Sequence, residues 1–264
     1  MDALSQAIAE FQRHGLTDVA YLRLHFRRFV ATKAQFESTW DRKGSRVLDV
    51  GAHWLHQSHL YARDGYDVTA MDLPATFDAD DVRQLAAASG IRLLPVEDLS
   101  VDSAFSSLAD DAFDVILFTE ILEHLSFNPV TLWRHLHRIL SAGGRIVVTT
   151  PNHAGLRSRL RRWRKHALGT SGGLSVEEIL RTPTHGHHWK EYTRAELRRY
   201  FALLSPDFAV RKALHVGDYY LSPSAPARAA RIVEGMVPPL RPHLHVEVEL
   251  ERKKDGVTIE PGWT

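Results

Sequence analysis

The stretch that decides the fold is RVLDVGAHWLHQSHLYARDGYDVTAMDL, residues 46–73. Its apolar runs at 46–50 and 67–72 have the length of buried strands, and the segment between them has the length of a crossover helix. Gly51 stands directly after the first run, where a strand must turn tightly into a helix. The stretch therefore predicts a strand, turn, helix and parallel strand, the repeating unit of a doubly wound α/β sheet.

The alternation of apolar runs and amphipathic segments continues along the chain. Residues 3–40 carry apolar side chains three and four positions apart, which predicts two helices separated at Gly15. Ser-Ala-Gly-Gly at 141–144 is a helix stop signal. Further strands are expected near 91–96, 113–118, 144–150, 208–216 and 243–250, and further helices near 54–64, 79–89, 129–140 and 194–204. The sequence thus predicts a doubly wound, mostly parallel seven-stranded sheet.

We expect two parts, an N-terminal helical extension at 1–44 and an α/β domain at 45–264. Within the domain, residues at about 152–193 are rich in glycine, arginine and histidine and interrupt the alternation after the fifth strand. This basic, histidine-rich segment is predicted to be an insertion.

The composition narrows the classes of function. The 33 lysine and arginine residues nearly balance the 32 aspartate and glutamate residues among 264, so overall charge argues against a nucleic-acid partner. The absence of cysteine excludes disulfides, thiolate metal sites and thiol nucleophiles. Because the sequence has no membrane-length apolar run and no signal-peptide pattern, a cytoplasmic protein is expected.

Acidic residues stand at the ends of the first three predicted strands, where open α/β sheets bind ligands. Asp49 precedes Gly51, Asp72 ends the second strand, and Glu97-Asp98 follow the third. Asp72 is placed to accept hydrogen bonds from the ribose hydroxyls of an adenosine, and the acids at 97–98 are placed to meet an adenine amino group. The alternative, that these carboxylates only cap helices, stays open.

These motifs resemble those of the class I S-adenosylmethionine-dependent methyltransferases. VLDVGA at 47–52 is similar to their first motif, VTAMDL at 68–73 to their second and FDVILFTEILEHL at 113–125 to their fourth, and LHRILSAGGRIVVTTPN at 136–152 is similar to their last helix, turn and fifth strand. The resemblance implies S-adenosylmethionine as the cofactor. The cofactor-binding residues that it implies are Asp49, Gly51, Ala52, His53, Asp72, Leu73, Glu97, Asp98, Thr119 and Glu120.

The first motif departs from the family's Asp-x-Gly-x-Gly-x-Gly pattern. After Asp49 and Gly51, the positions of the later glycines hold His53 and Leu55. Either the loop is wide enough for His53 to line the site, which we favour, or cofactor binding is weakened and the chain is a non-catalytic relative. The missing glycines also make a dinucleotide-dependent dehydrogenase the poorer interpretation.

A second group of chemically active residues follows the fourth strand. Glu120, Glu123 and His124 are three and four positions apart and would share one face of a helical turn. The segment HGHHWKEYTR at 185–194 adds a dense group of imidazoles. Carboxylate and imidazole ligands suit Mg²⁺ or Mn²⁺. The ligands of such a metal would be Glu120, Glu123, His124 and either His185 or His188.

The same two motifs resemble those of the metal-dependent small-RNA 3′-terminal 2′-O-methyltransferases and of metal-free methyltransferases that act on quinone precursors and sugars. Without a metal, a histidine with a pKa near 7 would take the proton of an acceptor hydroxyl, and a carboxylate would orient it. The predicted catalytic residues are His124, Glu123, His188 and His185, with His187 a further candidate base. His56 and His59, in the first crossover helix, are expected on a solvated face.

Residues 156–168 predict a basic amphipathic helix, because Leu156, Leu160, Trp163 and Ala167 form one apolar stripe among arginines. This helix could cover the active site with the stripe on the core, lie on an anionic membrane, or bind a phosphate-bearing or RNA substrate. All three interpretations stay open.

The resemblance of the EILEH and HHWKEYT segments to methyltransferases of surface-polysaccharide pathways implies O-methylation of a sugar or another small biosynthetic intermediate. The expected partner is a small-molecule or glycan acceptor, free or lipid-linked, and any membrane contact would be peripheral, through 156–168. The alternatives are a metal-dependent RNA ribose 2′-O-methyltransferase and a non-catalytic, methyltransferase-like binding protein.

Overall fold

The computed structural model of the chain describes residues 3–15, 19–167, 169, 173–217, 219–220, 222 and 224–262. Residues 1, 2 and 16–18 of the predicted extension and residue 168 of the predicted basic helix lie outside these ranges. Among the described residues, none of the helices combines the length and the apolar composition that crossing a membrane requires.

An open sheet forms the centre of the described part of the chain. In those residues it has seven strands in the order β3-β2-β1-β4-β5-β7-β6. Strands β1 to β5 run parallel, and β7 is antiparallel to both β5 and β6. The prediction of a doubly wound, mostly parallel seven-stranded sheet is confirmed. The strands are β1 (Arg46–Val50), β2 (Asp67–Asp72), β3 (Arg92–Pro95), β4 (Phe113–Thr119), β5 (Leu140–Pro151), β6 (Phe208–Val216) and β7 (His243–Leu250).

Helices cover both faces of the sheet, which is why the central strands are apolar on both sides. One face packs Val47 and its neighbours against helices of the N-terminal half, and the other packs Leu48 against helices from the C-terminal half. The first set is α1 (Ala3–Arg13), α2 (Ala20–Glu37), α3 (His56–Arg63), α4 (Pro74–Phe77) and α5 (Asp80–Ser89); the later helices are α6 (Val130–Ile139), α7 (Leu156–Ala167), α8 (Val176–Arg181), α9 (Arg194–Leu204) and α10 (Ala225–Met236).

The strand order determines where along the edge of the sheet a ligand can bind. Strand β1 pairs with β2 on one side and with β4 on the other, so that Val47 lies between Val68 and Val115. The chain therefore leaves β1 and β4 in opposite directions, and a crevice opens where their carboxyl ends diverge. The loops that carry the predicted cofactor residues follow these strand ends.

The predicted end of the helix before 141–144 is confirmed, but the expected start of the fifth strand near residue 144 was wrong. Helix α6 ends at Ile139, and β5 begins at Leu140, which pairs with Phe113. The hydroxyl of Ser141 accepts a hydrogen bond from the Arg46 guanidinium at 3.0 Å, which binds this segment to the sheet. Gly143, at φ 75°, lies in the stretch where the register between β4 and β5 shifts. The glycines therefore accommodate an irregular strand and do not form a turn.

The prediction that His56 and His59 lie on a solvated face is also wrong. Their side chains are buried, because α1 and α2 pack over α3. The Phe11 ring of α1 contacts both imidazoles edge-on, with centroid distances of 5.0 and 4.9 Å. His59 Nδ1 lies 2.7 Å from Ser89 Oγ, and its Nε2 lies 2.9 Å from a carboxylate oxygen of Glu10. These imidazoles join the N-terminal helices to the sheet.

Helix α7 does not place its apolar stripe on the core. Leu160 and Trp163 are 52% and 69% exposed, so the interpretation of α7 as a lid with a buried stripe is wrong. The face that α7 packs inward is polar, because Arg157 Nε lies 3.3 Å from the carboxylate of Glu234, which is buried in α10. A leucine and a tryptophan are consequently left on the surface of a basic helix.

Candidate active site

A cavity of about 770 Å³ opens at the carboxyl ends of β1, β2 and β4. This volume is within the range of cofactor-binding sites in proteins. Helix α2 and the segment at 184–186 complete its wall. All ten residues that the sequence assigned to the cofactor line it: Asp49, Gly51, Ala52, His53, Asp72, Leu73, Glu97, Asp98, Thr119 and Glu120.

The turn after β1 requires glycine at one position. Gly51 has a φ of 74°, and a Cβ atom built there would lie 2.1 Å from Ile121 Cδ1. The backbone N–H groups of Gly51 and Ala52 both donate to the Met71 carbonyl, at 2.9 and 3.2 Å. The turn is therefore bound to the end of β2, and a side chain at position 51 would be strained by the positive φ and would have to displace the Ile121 side chain.

The two positions where the family has later glycines keep a glycine-like backbone. His53 and Leu55 have φ values of 50° and 61°, in the left-handed region that side chains rarely adopt. The structure places His53 in the cavity wall, where its ring packs against Trp54 and Tyr21 at centroid distances of 4.2 and 4.6 Å. Both positions therefore have backbone conformations that favour glycine, and the His53 imidazole forms part of the cavity wall.

Asp72 is held in one orientation at the end of β2. One carboxylate oxygen accepts from the His53 backbone N–H at 2.7 Å. The other accepts from the Leu73 N–H at 2.7 Å and from the Thr76 hydroxyl at 3.0 Å. Because a carboxylate has about four acceptor sites, Asp72 retains capacity for a ligand hydroxyl.

Asp49 lies deeper, behind the turn. Its side chain is buried, and the Ser58 hydroxyl donates to it at 2.6 Å. Burial raises the pKa of Asp49 to about 7, with a further increase from Asp72 that the Ser58 hydrogen bond partly opposes. Near neutral pH this carboxyl therefore exists in both its protonated and its ionised forms.

Arg28 is a site residue that the sequence did not reveal. It projects from α2 into the cavity, and its Nη1 lies 3.4 Å from Glu120 Oε2. Burial alone would lower the pKa of Arg28, but the facing Glu120 carboxylate and Tyr21 raise it above its usual value, so the guanidinium stays charged. In the sequence Arg28 stands beside Arg27, and nothing in the pattern distinguishes the buried arginine from the exposed one.

The expectation that Glu120, Glu123 and His124 share one helical face was wrong. Glu120 has a φ of 56°, and its N–H donates to the Thr149 carbonyl at 2.8 Å, so a sharp bend separates it from the 3₁₀ turn at Leu122–His124. The bend directs Glu120 to Arg28. Among the described residues, the group that could hold a metal ion is Glu123, His124 and His188, without Glu120 or His185.

The cluster of Glu123, His124 and His188 brings one ligand atom of each residue within 4.8 Å of the others. Glu123 is buried, and one of its oxygens accepts from the Thr150 hydroxyl at 2.9 Å, while Oε1 has no partner among the described residues. Burial, and then the nearby Glu120 charge, raise the pKa of Glu123 well above its ordinary value. Burial and His188 lower the pKa of His124, so its imidazole is neutral at pH 7.

The segment at 184–189 approaches the cavity through its backbone as well as its side chains. The Trp189 N–H donates to the Glu123 carbonyl at 2.7 Å, and His185 lines the main cavity outside the cluster. His187 is buried with its Nε2 3.0 Å from the Glu178 carbonyl, away from this cavity. Of the predicted catalytic residues, the structure therefore unites Glu123, His124 and His188 and leaves His185 in the nearby wall.

Known proteins with similar sequences and structures include several methyltransferases. The Ubiquinone biosynthesis O-methyltransferase of Xanthomonas oryzae pv. oryzae is 31% identical over 166 residues, which cover 60% of this chain and 60% of the relative. The chain thus spans about 60% of the length of this curated relative.

Solved structures of low sequence identity share the fold. An S-adenosylmethionine-dependent methyltransferase from Mesorhizobium loti has a TM-score of 0.56 at 17% identity, covering 84% of this chain and 97% of that one. A chain of the complex between the Haloferax volcanii Trm112 methyltransferase activator and a methyltransferase has a TM-score of 0.58 at 16% identity, covering 96% and 99%.

The sequence profile of the methyltransferase-domain family matches residues 21–205. This range includes helix α2, the turn at Gly51, the acidic strand ends and the Glu123 cluster. The chain therefore belongs to the methyltransferase-domain family, and it has the fold of the class I S-adenosylmethionine-dependent methyltransferases.

Proposed function

We propose that the protein transfers a methyl group to a hydroxyl oxygen of a small biosynthetic intermediate, with His124 as the base. The observation that carries this proposal is the 3.1 Å contact between His124 Nδ1 and the His187 carbonyl. A carbonyl oxygen can only accept, so Nδ1 carries the proton and Nε2 of the neutral ring has the free lone pair. A neutral imidazole at the cavity wall is the form that takes a proton from a hydroxyl.

The cavity fits S-adenosylmethionine. Arg28 Nε, His53 Nδ1, Gln57 Oε1 and Glu120 Oε1 are buried in its wall without a partner among the described residues, and unpaired buried polar atoms call for a polar ligand. When bound, this cofactor supplies an electrophilic methyl group on a sulfonium. Asp72 would hold the ribose, the acids at 97–98 the adenine, and Arg28 with the Gly51 turn the methionine end.

The chain's own residues then position the acceptor. Methyl transfer is an in-line displacement, so most of the rate enhancement comes from holding the acceptor oxygen and the methyl group at near-attack distance. Phe127 and Leu125 provide an apolar wall beside His124. Glu123, fixed by Thr150, would orient the base or the acceptor hydroxyl.

A metal-assisted form of the same reaction is a second candidate. The unpartnered Oε1 of Glu123 beside two imidazoles is a donor set that suits Mn²⁺ or Mg²⁺. Glu123, His124 and His188 would hold the ion, which would lower the pKa of an acceptor hydroxyl. A thermal-shift titration with MnCl₂ tests this candidate, because an increase in Tm that EDTA reverses and Glu123→Gln abolishes requires the site. Equal Tm values with MnCl₂ and EDTA would eliminate it.

Two classes of acceptor are proposed. The sugar hydroxyl follows from the motifs at 120–124 and 187–193. A phenolic hydroxyl of a quinone precursor is favoured by the relatives, which are ubiquinone biosynthesis O-methyltransferases. The RNA ribose hydroxyl is a weaker candidate, because three cations of α7 and its surroundings pair with carboxylates. A non-catalytic role remains the alternative if no acceptor is methylated.

Peripheral membrane contact through α7 is also proposed. The exposed Leu160 and Trp163 lie on a helix that is otherwise basic, and such a surface suits an anionic bilayer. Association of this kind would bring the cavity near a lipid-linked acceptor. Cosedimentation with phosphatidylglycerol vesicles, compared between the wild type and Trp163→Ala, measures the contribution of this side chain.

Binding and turnover together test the main proposal. Calorimetric titration with S-adenosylhomocysteine is expected to show binding, and a panel of catechols and free sugars is then screened for methylated product by mass spectrometry. We expect His124→Gln to reduce kcat roughly 100-fold or more and to leave the S-adenosylhomocysteine affinity within about twofold. His166→Gln, an exposed histidine on α7, is the matched control. No binding at millimolar ligand would rule out the methyltransferase activity, and an unchanged kcat would rule out His124 as the base.

A further inference from the structure

A second cavity of about 450 Å³ lies within the insertion, between α7, α8 and the segment at 186–191. Gly186 lines both this insertion cavity and the main cavity. His188, a member of the Glu123 cluster, also lines it. The insertion cavity therefore adjoins the place where the acceptor hydroxyl is expected.

The wall of the insertion cavity has an excess of positive charge. Four cations line it, against the carboxylates of Glu178 and Glu191. Hydrogen bonds from Ser175 and Lys165 lower the pKa of Glu178 to about 2. Burial alone would raise the pKa of Glu191, but His188 and Arg161 lower it to about 2, so both carboxylates are ionised at neutral pH. The lining cations are Arg161, Arg162, Lys165 and Lys190.

Three of these cations have a carboxylate partner. Arg161 Nη2 lies 2.7 Å from Glu191 Oε1, and Lys165 Nζ lies 3.2 Å from Glu178 Oε2. Lys190 turns outward to Glu196 at 2.9 Å. Arg162 differs, because no carboxylate among the described residues pairs with it; its Nη1 lies 3.3 Å from His153 Nδ1.

The contact between Arg162 and His153 creates a second donor. A guanidinium only donates, so His153 Nδ1 must be the acceptor, and its proton therefore resides on Nε2. Burial and Arg162 lower the pKa of His153, which keeps this tautomer neutral. Arg162 and His153, which are in contact and both line the cavity, thus each carry an N–H donor, and paired donors of this kind suit an oxyanion.

We propose that the insertion cavity binds an oxyanionic group of the acceptor, a phosphate or a carboxylate, through Arg162 and His153 while the acceptor hydroxyl lies beside His124. The proposal rests on the proposed function, because it names the chemical class of that acceptor. It also assigns the basic insertion a role that a neutral sugar or a neutral phenol would not require. Charge-assisted hydrogen bonds to a guanidinium fix both the affinity and the orientation of such a group.

Titration with inorganic phosphate, followed by ³¹P NMR at constant ionic strength, tests the subsite. Arg162→Gln is expected to weaken phosphate binding at least tenfold, and Arg164→Gln, an exposed arginine of α7 outside the cavity lining, to change it less than twofold. Equal losses in the two variants would show diffuse helix charge and overturn the proposal. Phosphate binding that Arg162→Gln leaves unchanged would overturn it as well.

Two further measurements separate this proposal from others. S-adenosylhomocysteine binding is measured in the same samples. If the wild type does not bind this ligand, the proposed function is contradicted. If Arg162→Gln binds it like the wild type and has an unchanged Tm, the loss of phosphate binding is specific to the subsite. Phosphatidylglycerol vesicles distinguish the source of the oxyanion. If soluble phosphate displaces the protein from the vesicles and Arg162→Gln abolishes vesicle binding, the oxyanion is a lipid-linked phosphate. If the protein binds phosphate but not vesicles, the acceptor is water-soluble.

Discussion

Arg28 Nη1 lies 3.4 Å from Glu120 Oε2 and thereby joins the N-terminal helix α2 to the end of β4 across the cofactor cavity. Both side chains are largely withdrawn from water, at 8% and 15% exposure. A buried charge that loses its partner retains its desolvation cost. The pair therefore links the position of α2 to the wall of the main cavity.

We predict that Arg28→Gln weakens S-adenosylhomocysteine binding roughly 10- to 100-fold, because it removes a charged hydrogen-bond donor from the cavity wall. Isothermal titration calorimetry measures the change. Arg27→Gln, on the exposed side of the same helix, is the control and should bind like the wild type. Similar affinities for the two variants would mean that Arg28 does not contact the ligand.

The left-handed backbone at His53 predicts an order of stability. Because a Cβ atom at positive φ costs about 1 kcal/mol or more, His53→Gly should have a larger free energy of unfolding than His53→Ala by about 1 kcal/mol. Urea denaturation provides the comparison. Ala87 in α5 is an exposed helical position. There the change from alanine to glycine should lower the free energy of unfolding by about 1 kcal/mol, whereas at position 53 glycine should be the more stable of the two. If glycine destabilises both sites, the strain at His53 is absent.

Asp49 predicts a pH-dependent stability. Its folded-state pKa of about 7 lies above the unfolded value near 4, so the folded form loses stability as pH rises between these values. Asp49→Asn should raise the free energy of unfolding at pH 8 by about 2 to 4 kcal/mol, with little difference remaining near pH 4. Urea titrations at several pH values measure this, with the exposed Asp67→Asn on β2 as the control.

The same Asp49→Asn variant should bind S-adenosylhomocysteine less tightly than the wild type, because a carboxylate beneath the turn is replaced by a neutral amide. A stability gain that does not depend on pH would indicate improved packing and contradict the titration of Asp49. Increased stability together with weaker binding would show that Asp49 strengthens ligand binding and destabilises the folded state.

Asp207 anchors the C-terminal segment and predicts acid sensitivity. One of its oxygens accepts from the backbone N–H groups of Lys254, Asp255 and Gly256, at 3.1, 3.0 and 2.9 Å, and lies 3.0 Å from His137 Nε2. Burial alone would raise its pKa, but these donors lower the pKa to about 2. The stabilisation of the folded state by the ionised Asp207 carboxylate is complete above pH 4 and is lost as pH falls through 2.

We expect Asp207→Asn to lower the free energy of unfolding by about 2 kcal/mol at pH 7, measured by urea denaturation, and by progressively less below pH 4. Asp102→Asn is the matched control, since Asp102 also pairs with a histidine, His135, at 2.8 Å but is 84% exposed. Asp102→Asn should lower the free energy of unfolding by less than about 0.5 kcal/mol. Equal effects of the two substitutions would contradict the role of burial.

Local patterns were sufficient to predict the sheet and to identify residues that line one cavity at its edge. The alternation of apolar runs identified the strands within a few residues, because buried parallel strands are continuous apolar segments. The acids at Asp72 and Asp98 reached the cavity for a topological reason: parallel strands end at one edge. His53 lines the cavity, as we favoured, although the glycine pattern is broken.

Contacts between distant segments could not be predicted in the same way. The burial of His56 and His59 depends on α1 and α2 packing over them, and periodicity within α3 does not report what covers it. Glu120 was assigned to the Glu123 group because sequence spacing does not reveal a residue at positive φ. Arg28 was missed because its role depends on a partner more than ninety residues away along the chain.

Helix α2 supplies Tyr21, Arg28 and Phe29 to the wall of the main cavity, although the strand pattern would begin the α/β domain at residue 45. A protein shortened to residues 45–264 would contain every strand of the described sheet, yet the wall beside the Gly51 turn would be open and would lack the Arg28 guanidinium. The part of this chain that lines the main cavity is therefore larger than the part that supplies the strands of its sheet.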